Sequence, residues 1–343
     1  MFVILQDLFC QCKGWKPLKD AGATSALIGT SWTEAERAKG VYDFRAVDGP
    51  VRSALDSGLE VILRVCWPPP SWAPASWGAR SATGLSSFDG SLFLRMGQCP
   101  SFFNDAPWRA LYRLQDALCD HFGRKVRFSP GVGGGGECTY PTGHGRERDD
   151  PRIRELWCFD DAALADWKLL WLTGIAKTEE PPRTVAEMRA STAAWCWYGN
   201  ALKARIISVL RHTPFVPWLG VIPAQDPHLY EDCICAGQLG LDHWFSQLNA
   251  NIIIHCLYPP GSQKKSHDYG AICIDRWMRE NPQRRVAVGV EGIAGMPVNA
   301  QRLALTAATD LLVSVDGLDG PGAVDSLRVW CRYWSEIRKE KRG

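Results

Sequence analysis

The sequence predicts a single (β/α)8 barrel of the TIM type, with long loops after its third and fourth strands. Short β-branched runs alternate with helical stretches along the chain, which is the pattern of parallel strands connected by helices. The runs are apolar almost throughout, as expected for strands covered on both faces. Eight runs and eight helical stretches favour a closed barrel over a doubly wound open sheet, which usually carries a glycine-rich fingerprint after its first strand. No such fingerprint follows the first run.

The predicted elements extend over the whole chain. The strands are expected at residues 2–5, 25–29, 60–65, 126–129, 216–222, 251–255, 286–290 and 311–315. The helices are expected at residues 45–57, 107–122, 161–176, 185–211, 228–239, 270–280, 299–308 and 323–339. The long connections, 66–105 and 131–214, would build the upper face of the barrel, where barrel active sites lie. Without an internal repeat or a clear linker, residues 1–343 are predicted to form one catalytic domain.

The composition is that of an ordinary globular protein. With 46% hydrophobic and 22% charged residues, the chain fits neither a disordered nor a membrane protein. A net charge of +2 gives no attraction to nucleic acid or to an anionic membrane, so neither partner is expected. The first residues lack a basic start, and Asp7 interrupts their apolar run. We therefore expect no signal peptide and a cytoplasmic location; the sequence does not indicate an oligomeric state.

The 13 cysteines have neither the spacing of a disulfide framework nor that of a zinc site. Cys66, Cys196, Cys256 and Cys273 lie in apolar segments. We therefore expect reduced, buried thiols. No metal and no organic cofactor is implied.

Two glutamates follow predicted strands at the expected upper rim. Glu137 follows a glycine run after the fourth strand, and Glu291 follows the seventh strand directly. Glycines let a backbone approach a ligand closely, and an ionised Glu at the end of an apolar strand is costly unless something requires it. Glycoside hydrolysis needs such a pair, an acid for the leaving oxygen and a carboxylate facing it. The alternatives are a solvated surface turn for Glu137 and a structural ion pair for Glu291.

Other side chains near the predicted rim are candidates for contacts with a sugar. Aromatic rings can stack on the apolar face of a pyranose, while polar groups can hold its hydroxyls. Core packing is the alternative for the aromatic residues, as burial with a satisfied hydrogen bond is for the histidine. The predicted substrate-binding residues are Trp32, Trp67, Trp72, Tyr140, His255, Tyr258 and Asp316.

Several stretches resemble known glycosidase families. Residues 32–44 are similar to a signature of barrel glycosidases with the pattern Trp…Glu…Lys-Gly-Val-Tyr-Asp-Phe, and residues 68–72 resemble a loop of the family 42 β-galactosidases. Residues 133–141 resemble the Gly-Glu-X-X-Tyr-Pro motif of the family 14 β-amylases, in which the Glu is the general acid. Three shorter segments match helices of the β-amylases, at residues 158–160, 165–167 and 197–202.

The β-amylase resemblance implies an inverting hydrolase of oligo- or polysaccharides, with Glu137 as the acid and Glu291 as the base that activates water. The family 42 resemblance implies instead a retaining exo-glycosidase, in which Glu291 is the nucleophile. Gly136 stands where the retaining clan has Asn, and residues 27–29 lack the clan's arginine on the second strand. The β-amylase loop motifs after the third and sixth strands are not recognisable either.

Two alternatives belong to other classes of protein. One is a barrel that binds carbohydrate without turnover, because a fold does not guarantee an activity. The other is a phosphate-binding barrel that uses the glycine run. This second alternative needs a basic residue near the loop after the seventh or eighth strand, and Arg284 and Arg285 lie at the opposite end of their strand.

Overall fold

The computed structural model describes the backbone of somewhat more than half of the chain. The described residues are 3–7, 12, 14–66, 69–88, 98–130, 156–209, 218–219, 252–257, 279, 282, 285–290, 310–314 and 323–340. They include one eight-stranded sheet, a two-stranded hairpin and eight α-helices.

All eight predicted strands are present in the sheet. Its strands are β1 Val3–Asp7, β2 Ser25–Ser31, β5 Glu60–Cys66, β6 Val126–Pro130, β7 Trp218–Leu219, β8 Ile252–Leu257, β9 Arg285–Val290 and β10 Asp310–Ser314. The hairpin is formed by β3 Glu36–Ala38 and β4 Val41–Tyr42, which the sequence analysis did not predict. The helices are α1 Lys16–Asp20, α2 Trp32–Ala35, α3 Arg45–Asp56, α4 Asp105–Phe122, α5 Asp161–Leu172, α6 Val185–Ala190, α7 Thr192–Val209 and α8 Ala323–Glu340.

The order of the strands is that of a barrel. The sheet runs β6-β5-β2-β1-β10-β9-β8-β7, and every neighbouring pair is parallel. Strands that follow one another in the chain are therefore neighbours in the sheet, apart from β6 and β7 at its two edges, and the first strand also pairs with the last. A doubly wound sheet would instead place the first strand beside one from the middle of the chain. Within the described residues no pairing joins β6 to β7, so closure of the barrel there stays a prediction.

Two strands of the described sheet, β2 and β5, are covered on both faces. Leu5, Ala26, Ile28, Val61 and Leu63 belong to the hydrophobic core that also includes buried residues of α3 and α4. Leu27 and Ile62, at the alternate positions, are buried as well but lie outside that core. Because side chains alternate along a strand, these two sets of residues occupy opposite faces of the sheet. This explains why the strands read as continuous apolar runs rather than as alternating ones.

Most predicted helices that fall within the described residues are present, but their ends differ from the predicted ones. Four of them correspond to α3, α4, α5 and α8. The single helix predicted at 185–211 is wrong, because the chain breaks at Ser191, whose hydroxyl accepts the backbone N–H of Ala194 and caps α7. Residues 228–239 and 299–308 lie outside the described residues, as does 270–280 apart from Arg279.

The six cysteines whose side chains the structure describes are free thiols, and Cys99, Cys158 and Cys331 among them are buried as expected. The side chains of Cys66, Cys256 and Cys273 lie outside the described part. The prediction of burial is wrong for Cys196, which is exposed. Its helix, α7, forms one wall of an open cavity of about 900 Å3, and Cys196 lines that cavity. Among the helices of the described segments, none combines the length and apolar character needed to cross a membrane.

The packing of Gly22 against α8 gives a testable prediction. Gly22 has φ +117°, and a Cβ built there would lie 2.9 Å from the Cβ of Cys331. We expect Gly22→Ala to reduce the free energy of unfolding by about 2–4 kcal/mol, since backbone strain and overpacking both contribute. Urea denaturation would measure this loss.

Gly174→Ala is the matched control, because Gly174 also has a positive φ, +77°, but faces open space. It should cost only about 1 kcal/mol, the strain alone. Equal losses in the two variants would contradict the packing of α8 against Gly22.

Candidate active site

The carboxyl ends of the parallel strands define one edge of the sheet. β6 ends at Pro130 and β9 ends at Val290, so both strands end at that edge. Six of the nine predicted site residues lie outside the described residues: Glu137, Glu291, Trp67, Tyr140, Tyr258 and Asp316. The structure describes the neighbouring loops after β2 and β5, which contain Trp32 and Trp72.

Three tryptophans form a cluster in these two loops. Trp32 and Trp77 are stacked, with ring centroids 6.2 Å apart and 26° between their planes. Trp72 stands edge-on to both rings, at 6.4 Å from Trp32 and 5.4 Å from Trp77. Trp32 is 0% exposed, so it packs in the core and offers no open ring face to a sugar in this structure. Trp72 is half-buried and retains an accessible surface.

Glu36 holds this cluster in place, and the sequence analysis did not single it out. One carboxylate oxygen accepts the indole N–H of Trp32 at 2.6 Å, and the other accepts the backbone N–H of Gly40 at 2.8 Å. The backbone carbonyl of Glu36 accepts the indole N–H of Trp72 at 3.1 Å. The carboxylate is buried, and its hydrogen bonds offset the cost of that burial. The signal was available in the sequence, as the four-residue spacing of Trp32, Glu36 and Gly40.

A second contact ties the loop after β2 to the loop after β5. The hydroxyl of Thr33 donates to the backbone carbonyl of Pro69 at 3.0 Å. Together with the Trp72–Glu36 bond, it fixes the segment that carries Trp72 relative to the end of β2. The two stretches that resemble barrel glycosidases, 32–44 and 68–72, are therefore in direct contact.

Arg64 is a buried cation that the sequence analysis also missed. It lies on β5 in register with Gly29 of β2 and Ser129 of β6, and it is 2% exposed. It alternates with Leu63 and Val65 of the helix-facing core, so it belongs to the opposite face, which would form the barrel interior. A buried guanidinium is costly unless acceptors or anions compensate its charge. The second strand, β2, lacks the arginine of the retaining clan. Arg64 of the adjacent strand, β5, lies beside Gly29 of β2.

His255 lies within a strand rather than after it. β8 extends to Leu257, two residues beyond the predicted end, and its register pairs His255 with Val288 and Leu219. Contact of His255 with a sugar stays a prediction.

The three segments that resemble β-amylase helices also contact one another. The indole N–H of Trp197 on α7 donates to the carboxylate of Asp166 on α5 at 3.0 Å, and the rings of Trp167 and Trp197 lie 5.2 Å apart. The rings of Phe159 and Trp197 lie 6.1 Å apart and are nearly perpendicular, at 80°. The resemblance therefore falls on one packed unit rather than on scattered residues.

Asp160 is a buried carboxyl at the start of α5. Burial raises the pKa of Asp160 above its ordinary value, while a hydrogen bond from Ser101 and nearby backbone N–H groups lower it. One of its carboxyl oxygens has no hydrogen-bond partner. Burial also raises the pKa of the neighbouring Cys158 thiol, so that thiol is protonated and unreactive at neutral pH. Within the described segments, no group of three or more His, Cys, Asp or Glu could hold a metal ion.

Comparisons with known proteins return structural neighbours only. No family model matches the sequence, and no curated protein does. A β-glucosidase from Exiguobacterium marinum matches with a TM-score of 0.42 and 10% identity, over 89% of this chain and 82% of the other. The GH5_18 protein of Bifidobacterium longum subsp. longum matches with a TM-score of 0.45 and 11% identity, over 100% of this chain and 80% of the other.

An exo-β-1,4-mannosidase from Opitutaceae bacterium strain TAV5 matches with a TM-score of 0.43 and 11% identity, over 99% of this chain. This chain spans 60% of the length of the mannosidase. TM-scores below 0.5 at such identities assign no activity to the chain. The proposed function therefore rests on the sequence and on the geometry of the rim.

The Glu36 network gives a second prediction. In Glu36→Gln one buried carboxylate oxygen becomes an amide N–H2 that meets another N–H donor, either from Trp32 or from Gly40. We expect the free energy of unfolding to fall by about 1–3 kcal/mol, the typical cost of a buried group left unsatisfied. Chemical denaturation followed by tryptophan fluorescence would measure it.

Glu34→Gln is the control, because Glu34 is exposed and accepts a hydrogen bond only from the adjacent Ser31 among described side chains. Its effect should stay within about 0.5 kcal/mol. A loss in Glu34→Gln as large as that in Glu36→Gln would contradict the special role of Glu36.

Asp160 gives a pH-dependent prediction. Because its pKa is higher in the folded than in the unfolded state, the folded state binds more protons between the two values, and stability falls as the pH rises through that window. Asp160→Asn abolishes this fall. The variant should therefore gain stability relative to the wild type as the pH rises from acid to neutral.

Urea denaturation across that range would test the sign of the change. Asp161→Asn, which alters an exposed carboxylate at the same helix end, is the control and should show no comparable gain. A gain at acid pH that disappears at neutral pH would contradict the raised pKa of Asp160.

Proposed function

We propose that the chain is a glycoside hydrolase that cleaves O-glycosidic bonds of an oligo- or polysaccharide, with Glu137 as general acid and Glu291 as the opposing carboxylate. The observation that carries the proposal is the end of β9 at Val290, the residue before Glu291, in a sheet whose strands are all parallel. Strand-end carboxylates at the carboxyl edge of such a sheet are typical of catalytic residues.

The proposal includes closure of the barrel between β6 and β7. In the closed barrel, two strands, β7 and β8, lie between β6 and β9. The loops after β6 and β9 then face each other across the mouth of the barrel. Glu137 belongs to the first of these loops and Glu291 to the second.

We propose the inverting reaction as the mechanism, following the β-amylase resemblance of residues 133–141. The carboxylic acid of Glu137 gives its proton to the glycosidic oxygen as the bond to the anomeric carbon breaks. The carboxylate of Glu291 takes a proton from a water molecule, whose oxygen attacks the anomeric carbon from the opposite face. One water is consumed, and solvent exchange returns both glutamates to their starting protonation states.

Retention is the second candidate mechanism, and one observation favours it. The Glu36 network and the Thr33–Pro69 bond join the two stretches that resemble barrel glycosidases and family 42 β-galactosidases. In this mechanism Glu291 attacks the anomeric carbon directly, and water later hydrolyses the glycosyl–enzyme bond with Glu137 as the base.

Proton NMR of the first anomer released would distinguish the two mechanisms. The substrates are maltooligosaccharides and a panel of aryl glycosides, including β-galactosides. Release of β-maltose would support inversion, and release with retained configuration would assign Glu291 as the nucleophile. An absence of turnover across the panel, with sugars still bound, would overturn the hydrolase in favour of a binding barrel.

Glu137→Gln tests the acid separately. We expect kcat to fall by about 10²–10⁴-fold on substrates whose leaving group needs a proton. The loss should be much smaller on dinitrophenyl glycosides, whose leaving group departs as an anion. Glu34→Gln, on the described part of the rim, is the control and should leave kcat unchanged. Equal losses on both classes of substrate would contradict the role of Glu137 as acid.

A further inference from the structure

An open pocket adjoins the tryptophan cluster, and its charge is unusual for this chain. The cavity measures about 450 Å3 and is lined by the side chains of Lys39, Arg109 and Arg113 together with Trp72 and Trp77. Among the residues that the structure describes, no acidic side chain lines it. The chain as a whole is nearly neutral, with 39 basic and 37 acidic residues, so three cations without an anion are a local concentration of positive charge.

The fold brings the three cations together from two elements. Arg109 and Arg113 are four residues apart on α4, so they lie on one face of that helix. Lys39 lies in the turn between β3 and β4, beside Gly40, whose backbone N–H is held by Glu36. The only carboxylate of the described residues that pairs with any of the three is that of Asp105, which is 3.9 Å from Arg109 and largely exposed. The positive charge is therefore available to a ligand.

The aromatic walls are fixed before any ligand binds. The rings of Trp72 and Trp77 are nearly perpendicular, at 80°, and the indole N–H of Trp72 is bound to the backbone of Glu36. A rigid half-buried indole offers its face to a flat apolar surface, and the cations offer charge-assisted hydrogen bonds. A pocket of this size accommodates a small organic ligand rather than a single inorganic ion.

We propose that this pocket binds a sugar residue carrying a carboxylate or sulfate group, stacked on Trp72 and paired with Lys39, Arg109 and Arg113. The choice of a saccharide rests on the proposed glycosidase function; the choice of an anionic one rests on the pocket alone. The aromatic walls of the pocket belong to the loop after β5, and its cations lie on α4 and in the turn between β3 and β4. A site of this composition would select acidic glycans over neutral ones.

Isothermal titration calorimetry on the full chain tests the proposal without requiring turnover. The probes are trigalacturonate, a sulfated trisaccharide and neutral maltotriose at low and high salt. We expect at least one anionic probe to bind about 10-fold or more tightly than maltotriose, and the advantage to shrink at high salt. The two anionic probes distinguish carboxylate from sulfate recognition. Equal affinity for the neutral and anionic probes would overturn the proposal.

The variant Arg109→Gln/Arg113→Gln identifies the site. Both residues are exposed and glutamine preserves helix propensity, so the variant should fold. Affinity for the anionic probe should fall about 10-fold or more, because each arginine contributes a charge-assisted hydrogen bond. Arg52→Gln/Lys168→Gln is the matched control; it removes the same net charge from exposed helical positions outside the lining of the pocket and should bind normally.

Equal losses in the two double variants would overturn the pocket in favour of a general effect of net charge. Binding of a single-stranded oligonucleotide in preference to every sugar would overturn it in favour of nucleic acid.

Failure of the proposed function looks different from failure of the pocket. Anionic sugars that bind but are never hydrolysed would contradict only the proposed hydrolase activity. Hydrolysis of neutral glycosides without binding of anionic probes would contradict only the proposed anionic-sugar pocket.

Discussion

The parallel pairing of β1 with both β2 and β10 is the constraint on which the architecture depends. It joins a strand at residues 3–7 to one at residues 310–314, so the two ends of the chain meet in the middle of one sheet. Since all neighbours in that sheet are parallel, every strand ends at the same edge. The loops after β2, β5, β6 and β9 therefore all begin at this edge. They contain most of the candidate functional residues.

At that edge, the buried residue Glu36 holds several groups in place through its carboxylate and its backbone carbonyl. Glu36 binds two indoles and a backbone amide, and thereby fixes the direction of Trp72 and the position of the turn that carries Lys39. Indole rings held in place before a ligand arrives lose little conformational entropy on binding. The same network therefore serves the described part of the rim and the cationic pocket beside it.

The sequence predicted the strands well because each is a short apolar run, and burial on both faces leaves that pattern in the residues themselves. It predicted less well wherever the structure depends on a partner distant in the chain. Arg64 interrupts an apolar run, and only the pairing of β5 with β2 shows that it lies beside Gly29. Cys196 was expected to be buried because α7 is apolar on nearly all sides, so its sequence does not show which side faces the core. Glu137 and Glu291 stay predictions from the motif and from the strand ends.

Helix α8 completes a hydrophobic core whose other described residues lie much earlier in the chain. Leu327, Cys331 and Trp334 of α8 belong to the same hydrophobic core as Leu18 and Ala21, near the other terminus. As the chain leaves the ribosome, the apolar surface around α1 therefore stays uncovered until α8 has emerged. Contacts between such distant residues form slowly, and the exposed surface favours aggregation in the meantime. The surface of α1 is consequently exposed for longer during synthesis than surfaces that are covered by residues nearer in the chain.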